Sequence, residues 1–95
     1  MIIQPNTNII IRTEEEYQVF CEIGDKEGIQ WWKGGWYKLS DRDSAEILRD
    51  WGAIYIDKDR KAMGANPDYI KNDETIIIEA AILFHNQLIS RRLKQ

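Results

Sequence analysis

The sequence has little of what disulfides and metal sites require. Its 95 residues include one cysteine, Cys21, and one histidine, His85. A single thiol cannot form an internal disulfide, and one cysteine with one histidine cannot supply the four ligands of a structural zinc site. We therefore expect a reducing compartment, no bound metal ion and no cofactor.

Recognisable catalytic motifs are also missing. Nucleophilic catalysis needs a nucleophile beside a base that a third group orients, whereas His85 lies in an apolar stretch and Cys21 on the apolar side of a predicted helix. Asp57–Arg60 begins like a calcium loop, but Lys61 and Ala62 stand where that loop needs an acid or Asn and then a glycine. Neither a Walker loop nor a dinucleotide fingerprint is present. The sequence predicts a non-enzymatic protein with no catalytic residue.

Long apolar runs are absent too. The longest, Ala80–Phe84, is far shorter than the roughly 20 residues of a membrane span. Met1–Asn8 has neither the basic region nor the apolar core of a signal peptide. We expect a cytoplasmic protein without membrane contact.

The length and the charge of the chain indicate its domain organisation and the kind of partner that it disfavours. Residues 1–95 are expected to form a single compact domain, since domains usually contain roughly 100–150 residues. The net charge is −3, and three of the thirteen bases lie in the last five residues, so the body of the chain is distinctly acidic. An acidic body disfavours general affinity for nucleic-acid phosphates, which requires clustered Lys and Arg.

The first half of the chain predicts a strand, a helix and a glycine stop. Ile9–Ile11 is a β-branched run typical of a strand. Thr13, followed three residues later by Glu16, forms a capping box in which the hydroxyl takes one helix amide and the carboxylate returns to the cap amide. A helix from Glu14 to Glu27 follows, ended by Gly28 in the left-handed conformation.

This helix has two chemically different sides at 100° per residue. The apolar side contains Tyr17, Val19, Phe20, Cys21, Ile23 and Gly24. The acidic side contains Glu14, Gln18, Glu22 and Asp25. The acidic stripe is interpreted either as a solvated face or as a recognition surface for a basic partner.

Three further elements are predicted in the middle of the chain. Ile29–Trp32 and Trp36–Leu39 form a hairpin around the turn at Lys33–Gly35, because glycine accepts positive φ. A second helix, capped by Ser40 or Asp41, ends at Gly52, and Ala53–Asp57 is a strand. Residues 58–73 are mostly loop.

The end of the chain has two interpretations. Residues 75–79 are a strand before a helix from Ala80, which three adjacent isoleucines favour, or residues 74–93 are one helix. The order of elements predicts an α+β fold, with a small, mostly antiparallel sheet and two to three helices packed on one face.

The aromatic residues near the predicted hairpin are the main functional signal. Neighbouring side chains of a strand point to opposite faces, so Trp31 and Trp32 cannot both be in the core, nor can Trp36 and Tyr37. Exposed tryptophan is enriched at binding hot spots. The predicted partner-binding residues are Trp31, Trp32, Lys33, Trp36, Tyr37 and Lys38, with Glu14, Glu22 and Asp25 of the acidic stripe.

Three alternatives to a partner-binding surface stay open. Trp31, Trp36 and Lys33 could form a stacking platform for single-stranded nucleic acid, although the net acidity disfavours it. The aromatics could be hidden in a homodimer or larger homo-oligomer of which this chain is a structural subunit. Finally, all four tryptophans could be structural.

The layout resembles small uncharacterised bacteriophage and prophage proteins of the α+β type. The resemblance is carried by Ile9–Tyr17, which leads from a strand through Thr-Glu-Glu into a helix, and by Gly28–Trp31 with Gly34. Ala53–Asp57 is similar to a later strand and Asp73–Phe84 to a terminal helix of these proteins. The resemblance implies an accessory protein in a bacterial host cell that inhibits or modulates a host or defence protein, as anti-CRISPR proteins do.

Overall fold

Five strands of the described chain form one sheet. The computed structural model describes residues 1–34 and 38–94. The strands are Thr7–Ile10 (β1), Gln30–Trp31 (β2), Ala53–Ile56 (β3), Lys61–Ala65 (β4) and Ile76–Glu79 (β5). They lie in the order β2-β4-β3-β1-β5.

The sheet is mixed, and the prediction of a mostly antiparallel sheet is wrong. β3 pairs antiparallel with β1 and β4, whereas β5 pairs parallel with β1 and β2 pairs parallel with β4. The error arose from treating Ile29–Trp32 as half of a local hairpin. Instead, Gln30 of β2 pairs with Lys61 of β4, a long-range pairing that no local pattern indicates. Of the predicted return strand, Leu39 lies in a 3₁₀ turn, and Trp36 and Tyr37 lie outside the described residues.

Helices complete the α+β class, which is confirmed. The helices are Glu14–Lys26 (α1), Ser44–Glu46 (α2), Ala80–Leu83 (α3) and His85–Leu93 (α4). A 3₁₀ turn at Leu39–Asp41 precedes α2, and a π-helical turn at Ile47–Trp51 follows it. The strand-then-helix interpretation of residues 75–93 is confirmed, with a break between α3 and α4 at Phe84.

The hydrogen bonds at the start of α1 nearly match those of the predicted capping box. The hydroxyl of Thr13 accepts the N–H of Glu16 at 3.1 Å, as expected. The carboxylate of Glu16 accepts the N–H of Arg12 at 2.9 Å, one residue before the predicted cap amide. At the other end Gly28 has φ +78°, so the predicted glycine stop is confirmed.

The second helix starts later than predicted. The carboxylate of Asp43, rather than Ser40 or Asp41, accepts the first helix amide, that of Ala45 at 3.0 Å. Gly52 ends the π-helical turn with φ +92° and donates its N–H to the Ile47 carbonyl at 2.7 Å. The predicted terminator is therefore confirmed.

β4 lies within residues 58–73, which the sequence predicted to be mostly loop. Lys61–Ala65 contains alanine, methionine and glycine, which have little β-propensity of their own. The strand forms because Ala62–Ala65 pair with β3 and because Lys61 and Ala62 pair with β2. In the connecting turn the carboxylate of Asp57 accepts the amides of Asp59 and Lys61, at 2.8 and 2.9 Å.

Strand register and the alternation of side chains define two faces of the sheet. The Ile54 face carries Ile9, Ile54 and Ile56, which join Phe20 and Phe84 in one hydrophobic cluster. The Tyr55 face, on the opposite side, carries the cross-strand neighbours Asn8, Tyr55 and Met63.

A loop at residues 66–75 covers part of the Tyr55 face. The fully buried amide of Asn8 donates to the carbonyls of Asn66 at 2.9 Å and Tyr69 at 3.2 Å. The ring of Tyr69 meets the ring of Tyr55 edge-on at 5.1 Å between centroids. The loop is thus fixed to the strand that carries Asn8 and to the ring of Tyr55.

Candidate binding surfaces

Trp31 and Trp32 lie in opposite environments, as the alternation in the predicted strand Ile29–Trp32 indicated, although the observed β2 ends at Trp31. Trp31 is 5% exposed, and its indole N–H donates to the Leu39 carbonyl at 2.9 Å. The guanidinium of Arg42 lies over its ring, 4.7 Å from the centroid. Trp32 is 63% exposed. Trp31 therefore supports the core, and Trp32 is the tryptophan available for contact.

Trp32 borders a cavity of about 600 Å³ on the Tyr55 face, which we call the Trp32 cavity. Its apolar lining comes from Trp32, Tyr55, Met63, Tyr69 and Pro5. The hydroxyl of Tyr55 donates to the side-chain oxygen of Asn6 at 2.9 Å, and burial raises the pKa of Tyr55. The aromatic lining is thus partly held in place before any ligand arrives.

Polar groups around the Trp32 cavity carry both signs of charge. Lys58 and Lys71 line it together with Asp57 and Glu74. Two asparagines, Asn6 and Asn72, provide amide groups and bond each other at 3.1 Å. Aromatic rings with nearby cations and amides suit a ligand that has a flat apolar part and a polar edge.

A second groove of about 400 Å³ shares Trp32 and Met63 with this cavity. It continues past Lys33, which is exposed, to Trp51. Trp51 is 40% exposed and lies where a side chain on Gly64 would be. The two depressions form a continuous aromatic surface around Trp32.

The acidic stripe of α1 lines a separate groove of about 470 Å³, which we call the acidic groove. Its acids are Glu14, Glu22, Asp25 and Asp43, and among the described residues that line it Arg42 is the only basic one. The structure thus brings together the three acids that the sequence singled out. It adds Asp43, which could have been found from its position before Ser-Ala-Glu, a typical N-cap sequence.

The carboxylates of this groove differ in the hydrogen bonds that they accept within the protein. Asp25 accepts the N–H of Leu39 at 3.1 Å, which fixes the 3₁₀ turn to α1. Glu14 accepts a long hydrogen bond of 3.5 Å from the Ser44 hydroxyl. Glu22 is exposed, and no hydrogen bond within residues 1–34 and 38–94 engages its carboxylate. Glu14 and Glu22 are therefore the acids most available to a basic partner.

The remaining residues predicted to bind lie near the gap in the described chain. Lys38 is exposed, and its backbone N–H donates to the Asp41 carboxylate at 3.0 Å. Trp36 and Tyr37 lie outside the described residues.

Cys21 and His85 have different surroundings. Burial raises the pKa of the Cys21 thiol to about 12, which disfavours the thiolate. His85 is exposed at the start of α4. In the part of the chain that the structure describes, no three side chains of His, Cys, Asp or Glu converge as metal ligands would.

Comparison of the chain with protein-family models, with curated proteins and with solved structures found no match. No helix within residues 1–34 and 38–94 has the length and apolar content needed to cross a membrane.

Proposed function

We propose that this chain is a non-enzymatic binding protein that docks a partner protein through Trp32. The observation that carries the proposal is a tryptophan that is 63% exposed at the border of a 600 Å³ aromatic cavity. Large aromatic side chains that fill or border pockets dominate the energy of protein interfaces. A partner side chain entering the cavity would be enclosed by Trp32, Tyr55 and Tyr69.

The acidic groove supplies the second part of the proposed interface. Glu14 and Glu22 would attract lysine or arginine of the partner, which raises the association rate and selects for basic surfaces. Arg42 lines both this groove and the groove beside Trp32, so the two surfaces adjoin at that residue. The partner we propose is therefore a protein with a basic surface beside an apolar one.

The sequence resemblance supplies the biological setting of the proposal. A small phage-type protein in the bacterial cytoplasm would act by occluding a host or defence protein, as an anti-CRISPR protein occludes a nucleic-acid-binding enzyme. Such enzymes have basic surfaces, which suits the acidic groove. In this arrangement the helices would pack on the Ile54 face and leave the Tyr55 face to the partner.

The test is an affinity pull-down from the bacterial host, with and without nuclease, followed by binding measurements on the recovered protein. We expect nuclease-resistant, stoichiometric recovery of one protein. Trp32→Ala should weaken its binding roughly 30-fold or more, as expected for a hot-spot residue. Leu93→Ala, at an 81% exposed position on the last turn of α4, is the control for loss of an exposed apolar side chain.

A charge-matched pair of variants tests the acidic groove. Glu14→Lys with Glu22→Lys should slow association and weaken binding, with the largest loss at low salt. Asp59→Lys with Asp68→Lys changes net charge equally at exposed positions outside the groove. Equal losses of affinity in both double variants would show an effect of net charge alone. That result would contradict a specific role of the acidic groove in binding.

Single-stranded nucleic acid is the second candidate, favoured by Lys58 and Lys71 beside the aromatic lining of the Trp32 cavity. Trp31 is buried, so Trp32 would have to provide the stacking surface. This function requires tryptophan quenching by oligonucleotides and a steep loss of affinity with salt. Trp32→Ala should abolish the quenching. Nuclease-sensitive recovery in the pull-down would favour this candidate.

A further inference from the structure

β5 ends the sheet at an unprotected edge. It pairs with β1 on one side, and no strand within residues 1–34 and 38–94 pairs with its other side. Ile76 is 57% exposed and Ile77 is 39% exposed, although both belong to a strand. Natural sheets protect such edges with short strands, lysine, proline or bulges. Among the described residues, the strand at the opposite edge follows this rule, because β2 has only two residues and the exposed Lys33 lies two positions after it. β5 has three consecutive isoleucines instead.

The hydrogen bonds to β1 show which backbone groups of β5 point outwards. The N–H of Ile76 donates to the Asn6 carbonyl at 3.1 Å. The backbone N–H and C=O groups of successive residues point alternately to the two sides of a strand, so those of Ile76 and Ile78 are directed to β1. The N–H and C=O groups of Ile77 and Glu79 are then directed away from the sheet. Within residues 1–34 and 38–94, no hydrogen bond engages the outward N–H and C=O of Ile77.

We propose that β5 pairs antiparallel with β5 of a second copy of this chain, about a two-fold axis at Ile77. In this register the two Ile77 residues exchange two N–H to C=O hydrogen bonds. The N–H of Glu79 in each copy donates to the Thr75 carbonyl of the other. The pairing joins the two sheets into one continuous sheet and removes the unprotected edge from both.

The side chains of β5 fit this two-fold register. Ile76 of one copy faces Ile78 of the other, so apolar side chains meet across the junction. Thr75 faces Glu79, and like charges are not placed opposite each other. The carboxylate of Glu79 is already neutralised by Arg12, which donates two hydrogen bonds of 2.7 Å to it. A second copy can therefore bond the outward backbone groups of β5 without placing an uncompensated charge at the junction.

The two-fold pairing stops at two copies, whereas edge-to-edge aggregation continues to larger assemblies. Each copy has one β5 edge, and the two-fold pairing uses both. Growth beyond two copies would need the edge strand β2, which is only two residues long. We therefore expect a dimer of defined mass rather than a concentration-dependent series of larger assemblies.

The first test is the molar mass of the purified chain by light scattering and sedimentation. We expect twice the monomer mass of 11.2 kDa at high micromolar concentration. Ile77→Pro removes the outward N–H while keeping the bonds to β1, and proline is compatible with an edge strand in that orientation. This variant should be monomeric with an unchanged circular dichroism spectrum. A wild-type monomer, a dimeric Ile77→Pro variant or open-ended assembly would each overturn the proposal.

Ile76→Pro is the matched control for the proline substitution. It removes the N–H that donates to the Asn6 carbonyl, so at a concentration too low for the dimer to form it should lower thermal stability more than Ile77→Pro does. If both variants lose stability equally, the assigned directions of the backbone groups are wrong. That result would also contradict the proposed register.

Cysteine cross-linking in a Cys21→Ala background tests the register directly. In the proposed dimer the two Cα atoms of Ile77 lie about 5.5 Å apart, within the range of a disulfide. The two Cα atoms of Ile76 lie diagonally at about 7–8 Å, beyond that range. Ile77→Cys should therefore cross-link on mild oxidation and Ile76→Cys, at the more exposed position, should not. Failure at Ile77, or equal cross-linking at both positions, contradicts the register.

The dimer is independent of the proposed partner surface. Trp32 follows β2 at the opposite edge of the sheet from β5. Trp32→Ala should therefore leave the dimer mass unchanged while weakening partner binding roughly 30-fold or more. Loss of the dimer in this variant would place self-association at the Trp32 surface and overturn the β5 proposal.

Discussion

The carboxylate of Glu27 and the guanidinium of Arg60 meet at 3.1 Å, where the first residues of the chain, the end of α1 and the β3–β4 turn come together. Glu27 also accepts the N–H groups of Ile2 at 2.7 Å and Ile3 at 3.0 Å. Arg60 donates in addition to the backbone carbonyls of Glu27 at 3.0 Å and Ile3 at 3.3 Å. Both side chains are mostly buried, with 15% and 22% of their surface exposed.

Glu27→Ala should lower the free energy of unfolding by about 2 kcal/mol, because it removes three charge-assisted bonds and leaves Arg60 without its counter-ion. Urea denaturation followed by circular dichroism measures the loss. Glu22→Ala, on the exposed side of the same helix, is the control and should change stability by less than about 0.5 kcal/mol. Similar losses in both variants would contradict a structural role for the Glu27–Arg60 pair.

The two adjacent tryptophans should differ sharply in their contribution to stability. Trp31→Ala removes a buried ring and the hydrogen bond to Leu39, and should cost about 3–5 kcal/mol of unfolding free energy. Trp32→Ala removes an exposed ring and should cost less than about 0.5 kcal/mol. Chemical denaturation of both variants checks this. A large loss at Trp32 would mean that its ring supports the fold rather than a partner surface.

Gly24→Ala should destabilise the protein although alanine favours helices. Alanine gains about 1 kcal/mol over glycine in a helix interior, but its Cβ here would overlap Cδ1 of Leu39. Leu39 is 1% exposed, so its side chain would have to shift within the packed core. The net loss should be about 1–2 kcal/mol. In a double-mutant cycle, Leu39→Ala should recover part of it, whereas additive losses would contradict the overlap.

Cys21 should resist alkylation until the protein unfolds. Burial raises the pKa of its thiol from the usual 9.0 to about 12, so at pH 9 only about one thiol in a thousand is ionised in the folded state, against half in the unfolded chain. Because the folded state keeps this proton as the unfolded state loses it, stability should fall as pH rises above 9. Mass spectrometry after iodoacetamide treatment, with and without urea, measures the difference. Rapid labelling without urea would show that Cys21 is accessible.

Local signals in the sequence predicted several elements of the fold well. Thr13 and Gly28 indicate α1 because a cap and a left-handed glycine act within a few residues of the helix ends. Gly52 marks the end of the second helix for the same reason. The alternation of Trp31 and Trp32 between core and surface follows from the two-residue period of a strand.

The non-local features could not be predicted in the same way. β4 has weak intrinsic propensity and exists because β3 lies beside it, and β2 pairs with that strand rather than with its neighbour in sequence. The Trp32 cavity combines residues from segments far apart in the sequence, from Pro5 to Glu74. Asp43 joins the acidic groove because the segment before α2 packs against α1.

The sequence by itself determined where α1 begins and ends, which side of it is acidic, and that Trp31 and Trp32 face opposite ways. These properties depend on caps, periodicity and sterics, which act over a few residues. Only the tertiary structure decided the mixed strand order, which of the two tryptophans is buried, and that β5 leaves its isoleucines at an open edge. Those properties depend on which distant segments pair, and pairing is selected by the burial and hydrogen bonding of the whole chain.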